Sequence, residues 1–246
     1  MNTIYTADQY DTCYPPGIEK HWWTIARSAQ VSRIVRAENK TGDVFLEVGC
    51  GKGLEVKALR TAGIDVYGVE LADVQPLEGM ESFVSSGMDA VQLPIAQREQ
   101  VTGLLLLDVI EHLPDPITFL KKLESRFPKL SVVVIAVPAS QELWSNFDVY
   151  YGHYRRYSTQ MLKELGHTLG WELKKFGYFF HLLYIPIRVL SWLGVERKTV
   201  LHAPGSTLRW LHRLIASVNH LDNCILPRTI KGTSAFAVYR LRSRTA

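Results

Sequence analysis

The feature that most constrains this 246-residue chain is an apolar run, Asp43-Val44-Phe45-Leu46-Glu47-Val48, that ends in glycines at alternate positions, Gly49, Gly51 and Gly53. A short apolar run reads as a buried strand, and glycines at its end let the backbone turn sharply into a helix while leaving amide groups bare. The stretch 53–63 has a helical pattern and stops at Gly63, a suitable residue beyond a helix C-terminus. Residues 64–70 then read as a second strand ending in Glu70. The alternation continues with 88–94 as a short third strand, 104–109 as a continuous apolar fourth and 130–138 as a fifth. Asp115-Pro116 marks a helix start between the last two, with a capping carboxylate and proline at the first helical position. Buried strands alternating with helices predict an α/β fold with a doubly wound, mostly parallel sheet.

The flanks are less regular. Residues 1–17 read as a loop, and 18–37 as a helix free of glycine and proline. After Pro138 a long polar and aromatic connection leads to a helix beginning near Ser158 or Thr159. Residues 171–179 read as a strand, and 234–242 alternate well enough to be a last one. The 180–232 stretch reads as a helical insertion at one sheet edge. No repeat, low-complexity tract or linker divides the chain, so a single domain is expected.

Hydrophobic residues make up 47% and charged residues 21%, the balance of a chain that folds around a core. The net charge is +4 without a run of five Lys/Arg, which disfavours nucleic acid as partner. Cys13, Cys50 and Cys224 form no C-x-x-C and pair with no histidine in metal spacing, so neither a disulfide framework nor a metal site is expected. That cysteine usage, and an N-terminus with no apolar signal core, predict a cytoplasmic protein. Residues 176–195 are long enough to span a bilayer but contain His181, Pro186 and Arg188. A central arginine costs at least about 2.5 kcal/mol there. An amphipathic helix kinked at Pro186 is expected instead. Its apolar bulk beside Arg188, Arg197, Lys198, Arg209 and Arg213 suits a lid, or peripheral contact with an anionic membrane.

The glycine spacing is G-x-G-x-G, with Leu54 where a dinucleotide fingerprint needs its third glycine, and no Lys-Ser/Thr pair follows as in a P-loop. Glu70 stands about twenty residues on, where a carboxylate accepts both hydroxyl protons of a ribose. Asp89 is placed to accept from the exocyclic amine of an adenine.

These residues carry a resemblance to the class I S-adenosylmethionine-dependent methyltransferases, whose sheet is Rossmann-like. The chain is more closely similar to the branch with D-V-x-E-H-L and G-H-x-R-R-Y patterns, here Asp108-Val109-Ile110-Glu111-His112-Leu113 and Gly152-His153-Tyr154-Arg155-Arg156-Tyr157. His21-Trp22-Trp23 with Arg27 resembles that branch's N-terminal helix. The likeness covers roughly 20–180 and resumes at Gly232-Thr233-Ser234. It implies seven strands with the last antiparallel, a helical cover over 1–40, a cofactor-binding core over 41–179, the insertion over 180–232, and a last strand and tail over 233–246.

It further implies that Glu47, Gly49, Cys50, Gly51 and Gly53 hold the methionine part of the cofactor. Glu70 would hold the ribose, Leu71 would pack on the adenine, Asp89 would face its amine, and Asp108 would sit beside the cofactor. His112 and His153 are candidate general bases, since an ordinary imidazole titrates near neutrality. Trp23, Arg27, Tyr154, Arg155, Arg156 and Tyr157 are candidate substrate contacts, with Arg155 and Arg156 either clamps for a carboxylate or phosphate or partners of acids in the fold. Trp22 and Trp144 are further candidates for an aromatic wall that favours a sulfonium. The implied reaction is metal-free methyl transfer to an oxygen or nitrogen of a small-molecule or lipid-linked substrate. An RNA methyltransferase and a non-catalytic cofactor-binding scaffold are the alternatives.

Overall fold

The computed structural model describes residues 6–197, 199–200 and 202–241, so Lys198 and Arg242 lie outside the described residues. Seven strands form one sheet: β1 (Phe45–Val48), β2 (Val66–Val69), β3 (Val84–Ser85), β4 (Gly103–Leu107), β5 (Val132–Pro138), β6 (Glu172–Phe179) and β7 (Ser234–Arg240). Their order is β3-β2-β1-β4-β5-β7-β6. All neighbouring pairs from β3 to β5 are parallel, and β7 runs antiparallel between β5 and β6. The doubly wound, Rossmann-like sheet expected from the sequence is present, including the antiparallel last strand.

Alternate residues of the central strands feed two cores, as the two-residue period of a strand requires. Leu104, Leu106, Val133 and Ile135 point to one face, where they meet Leu120 and Leu123 of α5 (Pro116–Arg126) and Leu162 and Leu165 of α7 (Thr159–Leu169). Leu105, Leu107, Val132 and Val134 point to the other. There they meet α2 (Trp22–Arg36) and α3 (Leu54–Thr61) through Ala26, Val31, Val35, Val56 and Leu59. Burial on both faces is why these strands read as unbroken apolar runs.

Four local expectations are corrected. The third strand is not 88–94: β3 lies earlier, at Val84–Ser85, and 90–92 is a 3₁₀ turn. Asp89 caps that turn by accepting from the Val91 amide at 3.1 Å, a side-chain bond that competes with strand pairing. The first seventeen residues are not all loop. Helix α1 (Ala7–Cys13) begins at a capping box in which Thr6 and Gln9 bond each other's backbone. The 18–37 helix is divided, because residues 18–20 form a 3₁₀ turn and His21 then caps α2. The apolar 176–195 stretch holds the end of β6 and a separate helix, α8 (Tyr184–Trp192). Pro186 lies in the first turn of α8, where its missing N–H costs nothing, so it does not kink the helix.

The insertion wraps rather than simply flanking the sheet edge. Helix α9 (Arg209–Ile225) places Ala216 in the core shared with α2. Its C-terminal end is tied to the exit of edge strand β6, where the Phe180 and His181 amides donate to Asn223 Oδ1 at 2.7 Å and Asp222 Oδ2 at 2.8 Å. Its N-terminal half meets the start of α2. The Trp22 amide donates to His212 Nδ1 at 3.1 Å and the Trp23 amide to His21 Nδ1 at 3.3 Å, so two imidazoles satisfy amides a helix start leaves open. The return to β7 passes very close to the backbone: a Cβ on Gly232 would lie 2.2 Å from the Phe179 carbonyl oxygen. Among the described residues no helix is long and apolar enough to cross a membrane. Two shorter helices, α4 (Ile95–Arg98) and α6 (Asn146–Tyr150), complete the set used below.

Candidate active site

The carboxyl ends of β1, β2 and β4 open into a cleft of about 370 Å³. Gly49, Gly51 and Gly53 follow β1 with φ of 77°, 55° and 84°, a left-handed path that side chains resist. Gly51 is also sterically bound to be glycine, because a Cβ there would stand 2.1 Å from the Tyr14 hydroxyl. The Gly51 amide donates to Glu70 Oε2 at 2.8 Å, and the Ala72 amide to Glu70 Oε1 at 3.0 Å. Tyr10, carried by α1, donates its hydroxyl to the same Oε1 at 2.9 Å. Glu70 is therefore a buried carboxylate held by three donors at the tip of β2.

Behind this loop lies a knot of charge. Arg27 reaches from α2 to Glu55 Oε1 at 2.9 Å and to Asp108 Oδ2 at 2.6 Å, and Ser28 also donates to Glu55. Asp108 follows β4 in left-handed backbone, φ 57°, a strain that persists where surroundings fix a side chain for use. Glu47 is buried, and its Oε2 finds no hydrogen-bond partner among the described residues. Burial, reinforced by the nearby Glu55, pushes its carboxyl well above the usual carboxylate range.

The other end of the cleft is built from the turn after β4 and the long connection after β5. Glu111 is fully buried, and neither carboxylate oxygen finds a hydrogen-bond partner among the described residues. His112 Nε2 lies 4.0 Å from Glu111 Oε1, and the His112 ring meets the His153 ring edge-on at 4.6 Å between centroids. Burial, with His153 beside it, lowers the His112 pKa to about 3, so its imidazole is neutral at physiological pH. His153 Nδ1 is bonded to Asp148 Oδ1 at 2.8 Å, and Arg156 Nε donates to the same oxygen at 2.8 Å. Burial opposes ionisation of Asp148, but the bonds from His153 and Arg156 hold its carboxyl below the usual range.

The expected residues sort clearly. Gly49, Glu70, Leu71, Asp89 and Asp108 line the cleft, as do His112 and Tyr154. Cys50, Gly51 and Gly53 form the turn behind it, with Cys50 buried, and Glu47 lies in β1 just before that turn. Asp89 Oδ1 is engaged by its own turn and Oδ2 by Lys122 at 3.3 Å. The arginines are engaged within the fold: Arg27 and Arg156 are buried on acids, and Arg155 donates to the Leu113 and Pro114 carbonyls. Tyr157 is buried with its hydroxyl on the Ile110 carbonyl at 3.2 Å. Trp23 packs on the core under the Arg27 guanidinium, 5.4 Å from its ring centre. Sequence reasoning missed Tyr10, which the capping box at Thr6 would have placed on a helix, and Tyr14, which caps that helix at its end. It also missed Glu55, whose partners Arg27 and Ser28 lie 28 and 27 positions away, and Asp148, although Ser145 and Asp148 form a capping box; Glu111 stood within its motif but was given no role.

Residues 24–175 match a protein-family model described as a methyltransferase domain. A ubiquinone biosynthesis O-methyltransferase of Bordetella avium is 37% identical over 82 residues, which is 30% of this chain and 34% of that one. One of Pectobacterium atrosepticum is 27% identical over 136 residues, 47% of this chain and 55% of that one. The match thus spans less than two thirds of either relative. Among solved structures, magnesium protoporphyrin IX methyltransferase from Synechocystis with bound S-adenosylhomocysteine superposes with a TM-score of 0.53 at 12% identity, covering 96% of this chain and 93% of that one. A Haloferax volcanii structure of a methyltransferase with its Trm112 activator gives 0.56 at 14% identity, covering 97% and 99%. At these identities the likeness is one of fold. With well over half of its length matched by the family model, the chain belongs to the methyltransferase-domain family, whose methyl donor is S-adenosylmethionine.

Proposed function

We propose that the protein transfers a methyl group from S-adenosylmethionine to an oxygen or nitrogen of a small-molecule or lipid-linked substrate. The observation that carries this reading is the single cleft running from Glu70 and Leu71 past Asp108 to His112 and Tyr154. Its first half fits the donor. The Glu47 oxygen left without a partner suits an ammonium group, and Glu70 suits a ribose diol in place of the Tyr10 hydroxyl. Leu71, Met88 and Phe119 supply apolar walls for a purine. When bound, the cofactor supplies a sulfonium methyl whose bond to sulfur breaks, leaving its electron pair on sulfur, as the bond to the nucleophile forms.

What remains for the protein is to hold the nucleophile in line and keep water out. Asp108, locked by Arg27, marks the border between donor and acceptor halves. Helix α1 covers the donor half, with Tyr14 over Gly51 and Lys52 paired to Asp11 at 2.9 Å. His112 inside the cleft, His153 beside it and Tyr154 at its mouth are the residues proposed to face the acceptor. The O-methyltransferases among the relatives favour a hydroxyl. Calorimetry with S-adenosylhomocysteine tests the reading. Binding is expected, and Glu70→Ala weakens it by about 1.5–3 kcal/mol, the loss of hydrogen bonds to a charged acceptor. A wild-type protein that binds none overturns it.

The lipid-linked option is supported by the insertion. Trp210, Leu214, Val218, Leu221 and Ile225 form one exposed stripe on α9, and Ile185, Val189 and Trp192 are exposed on α8. Arg188, Arg209 and Arg213 are exposed among them. Apolar bulk beside arginines is the pattern of an element lying on an anionic bilayer. Co-sedimentation with anionic vesicles is expected for the wild type, and reduced for Trp210→Ala with Leu214→Ala. Wild type left in the supernatant at low and physiological salt removes the membrane contact, and a concentration-dependent dimer in its place assigns the stripe to a second copy.

A further inference from the structure

We propose that Glu111, His112 and His153 form a binding site for one divalent transition-metal ion at the acceptor end of the cleft. Each residue offers one ligating atom, and these atoms all lie within 4.8 Å of one another. Metal–ligand bonds of about 2.0–2.2 Å draw such atoms closer together. Rotation about the side-chain bonds of Glu111 and His112, which share one short turn, supplies that closure.

Three features separate this cluster from a chance gathering. Glu111 is wholly buried with both oxygens lacking a hydrogen-bond partner among the described residues. A buried carboxylate in that condition is costly unless a proton or a cation satisfies it. Two imidazoles then stand beside it where a lysine or arginine would complete an ordinary buried ion pair. Finally, His153 is oriented from behind. Asp148 takes its Nδ1, and Asp148 is itself fixed by Arg156 and by the Ser145 amide at 2.9 Å. A carboxylate behind a histidine is the outer support that metal-ligating histidines ordinarily have, leaving the other ring nitrogen for the ion.

The donor set names the class of ion. Two nitrogens and one carboxylate suit manganese, iron, cobalt or zinc in the divalent state better than calcium or magnesium, which take oxygen donors. Three protein ligands leave positions open to the cleft that His112 lines. A substrate hydroxyl at such a position gives up its proton to water more readily. The proposal replaces the metal-free site expected from spacing alone, since His112 and His153 are brought together only by the fold. It rests on the methyl-transfer reading for its chemistry, though not for its test.

The test is manganese binding, read by electron paramagnetic resonance and calorimetry on full-length protein stripped with chelator. Manganese is chosen because zinc also has an exposed pair to bind, Cys224 and His220 at 3.7 Å on α9. One equivalent is expected, weakened at least tenfold in Glu111→Gln and in His153→Asn, and unchanged in His220→Ala. S-adenosylhomocysteine binding, unaffected by chelator in wild type and both site variants, shows that the variants are folded. No stoichiometric manganese in a wild type that binds S-adenosylhomocysteine overturns the metal site alone. Uptake that survives in both site variants overturns it as well. A protein that takes up manganese but not S-adenosylhomocysteine instead overturns the methyl-transfer reading.

Discussion

Acid should loosen the joint between the insertion and the body of the protein. His21 caps α2 with its Nδ1 lone pair and packs edge-on against His212, which caps the same helix from α9. Burial, with His212 beside it, lowers the His21 pKa from 6.5 to about 4. A histidine depressed in the folded state favours folding only while it is neutral. Between pH 6.5 and 4 the unfolded chain takes up a proton that the folded chain refuses, so stability falls as pH falls. That lowering corresponds to at most about 3.4 kcal/mol once the titration is complete, and to at most about 2 kcal/mol between pH 7 and 5, less whatever solvent screens. The assay is urea unfolding at several pH values for wild type and His21→Asn, which keeps a capping oxygen but does not titrate. The difference reads His21 together with its coupling to His212, which packs against it. The wild type should lose about 1–2 kcal/mol more than the variant between pH 7 and 5. Parallel stability curves would refute the reasoning.

Gly232→Ala places a methyl 2.2 Å from the Phe179 carbonyl oxygen, an overpacking that should cost about 1–3 kcal/mol in urea unfolding. A loss under half a kcal/mol, by order of magnitude the level of a surface change, would mean that the crossing relaxes freely. Arg27→Ala leaves Glu55 buried without its guanidinium, and unfolding should show a loss of about 3–5 kcal/mol. If Arg27→Ala instead leaves stability intact and raises only the substrate KM, the arginine is a substrate contact.

How far these features were legible depended on how local their causes are. Strands β1, β4 and β5 were plain because both their faces are buried, which writes a continuous apolar run into the sequence. The two-residue β3 was misplaced because the hydrophobic residues after it serve a capped turn, with Asp89 taking the Val91 amide. The end of the cleft at β1 and β2 was readable because its glycines and Glu70 sit at the ends of consecutive strands. The end at His112 was not. Asp148 and His153 lie in a polar connection with no periodicity, and only the return of that connection over β4 sets them against Glu111 and His112. Arg156 reads as a clamp for a carboxylate or phosphate, or else a partner of an acid in the fold, because a guanidinium matches such groups bidentately, and Arg27 reads as a substrate contact. Buried acids claim both, and Arg27 meets Glu55 and Asp108 across 28 and 81 positions.

The place of β7 carries a consequence for how the protein is made. Strand β5 keeps one edge unfilled until β7, nearly a hundred residues later, slides in to pair with it along its whole length. At ribosomal speeds that interval is on the order of ten seconds. Through it the nascent chain exposes a run of valine and isoleucine with open backbone groups, a template for pairing with the wrong strand. Strand β6 is finished earlier but in the finished sheet does not touch β5, because β7 lies between the two and is the partner of both. A nascent chain stalled before Ser234 should therefore recruit chaperones, whereas one extended past Arg240 should close its sheet and release them.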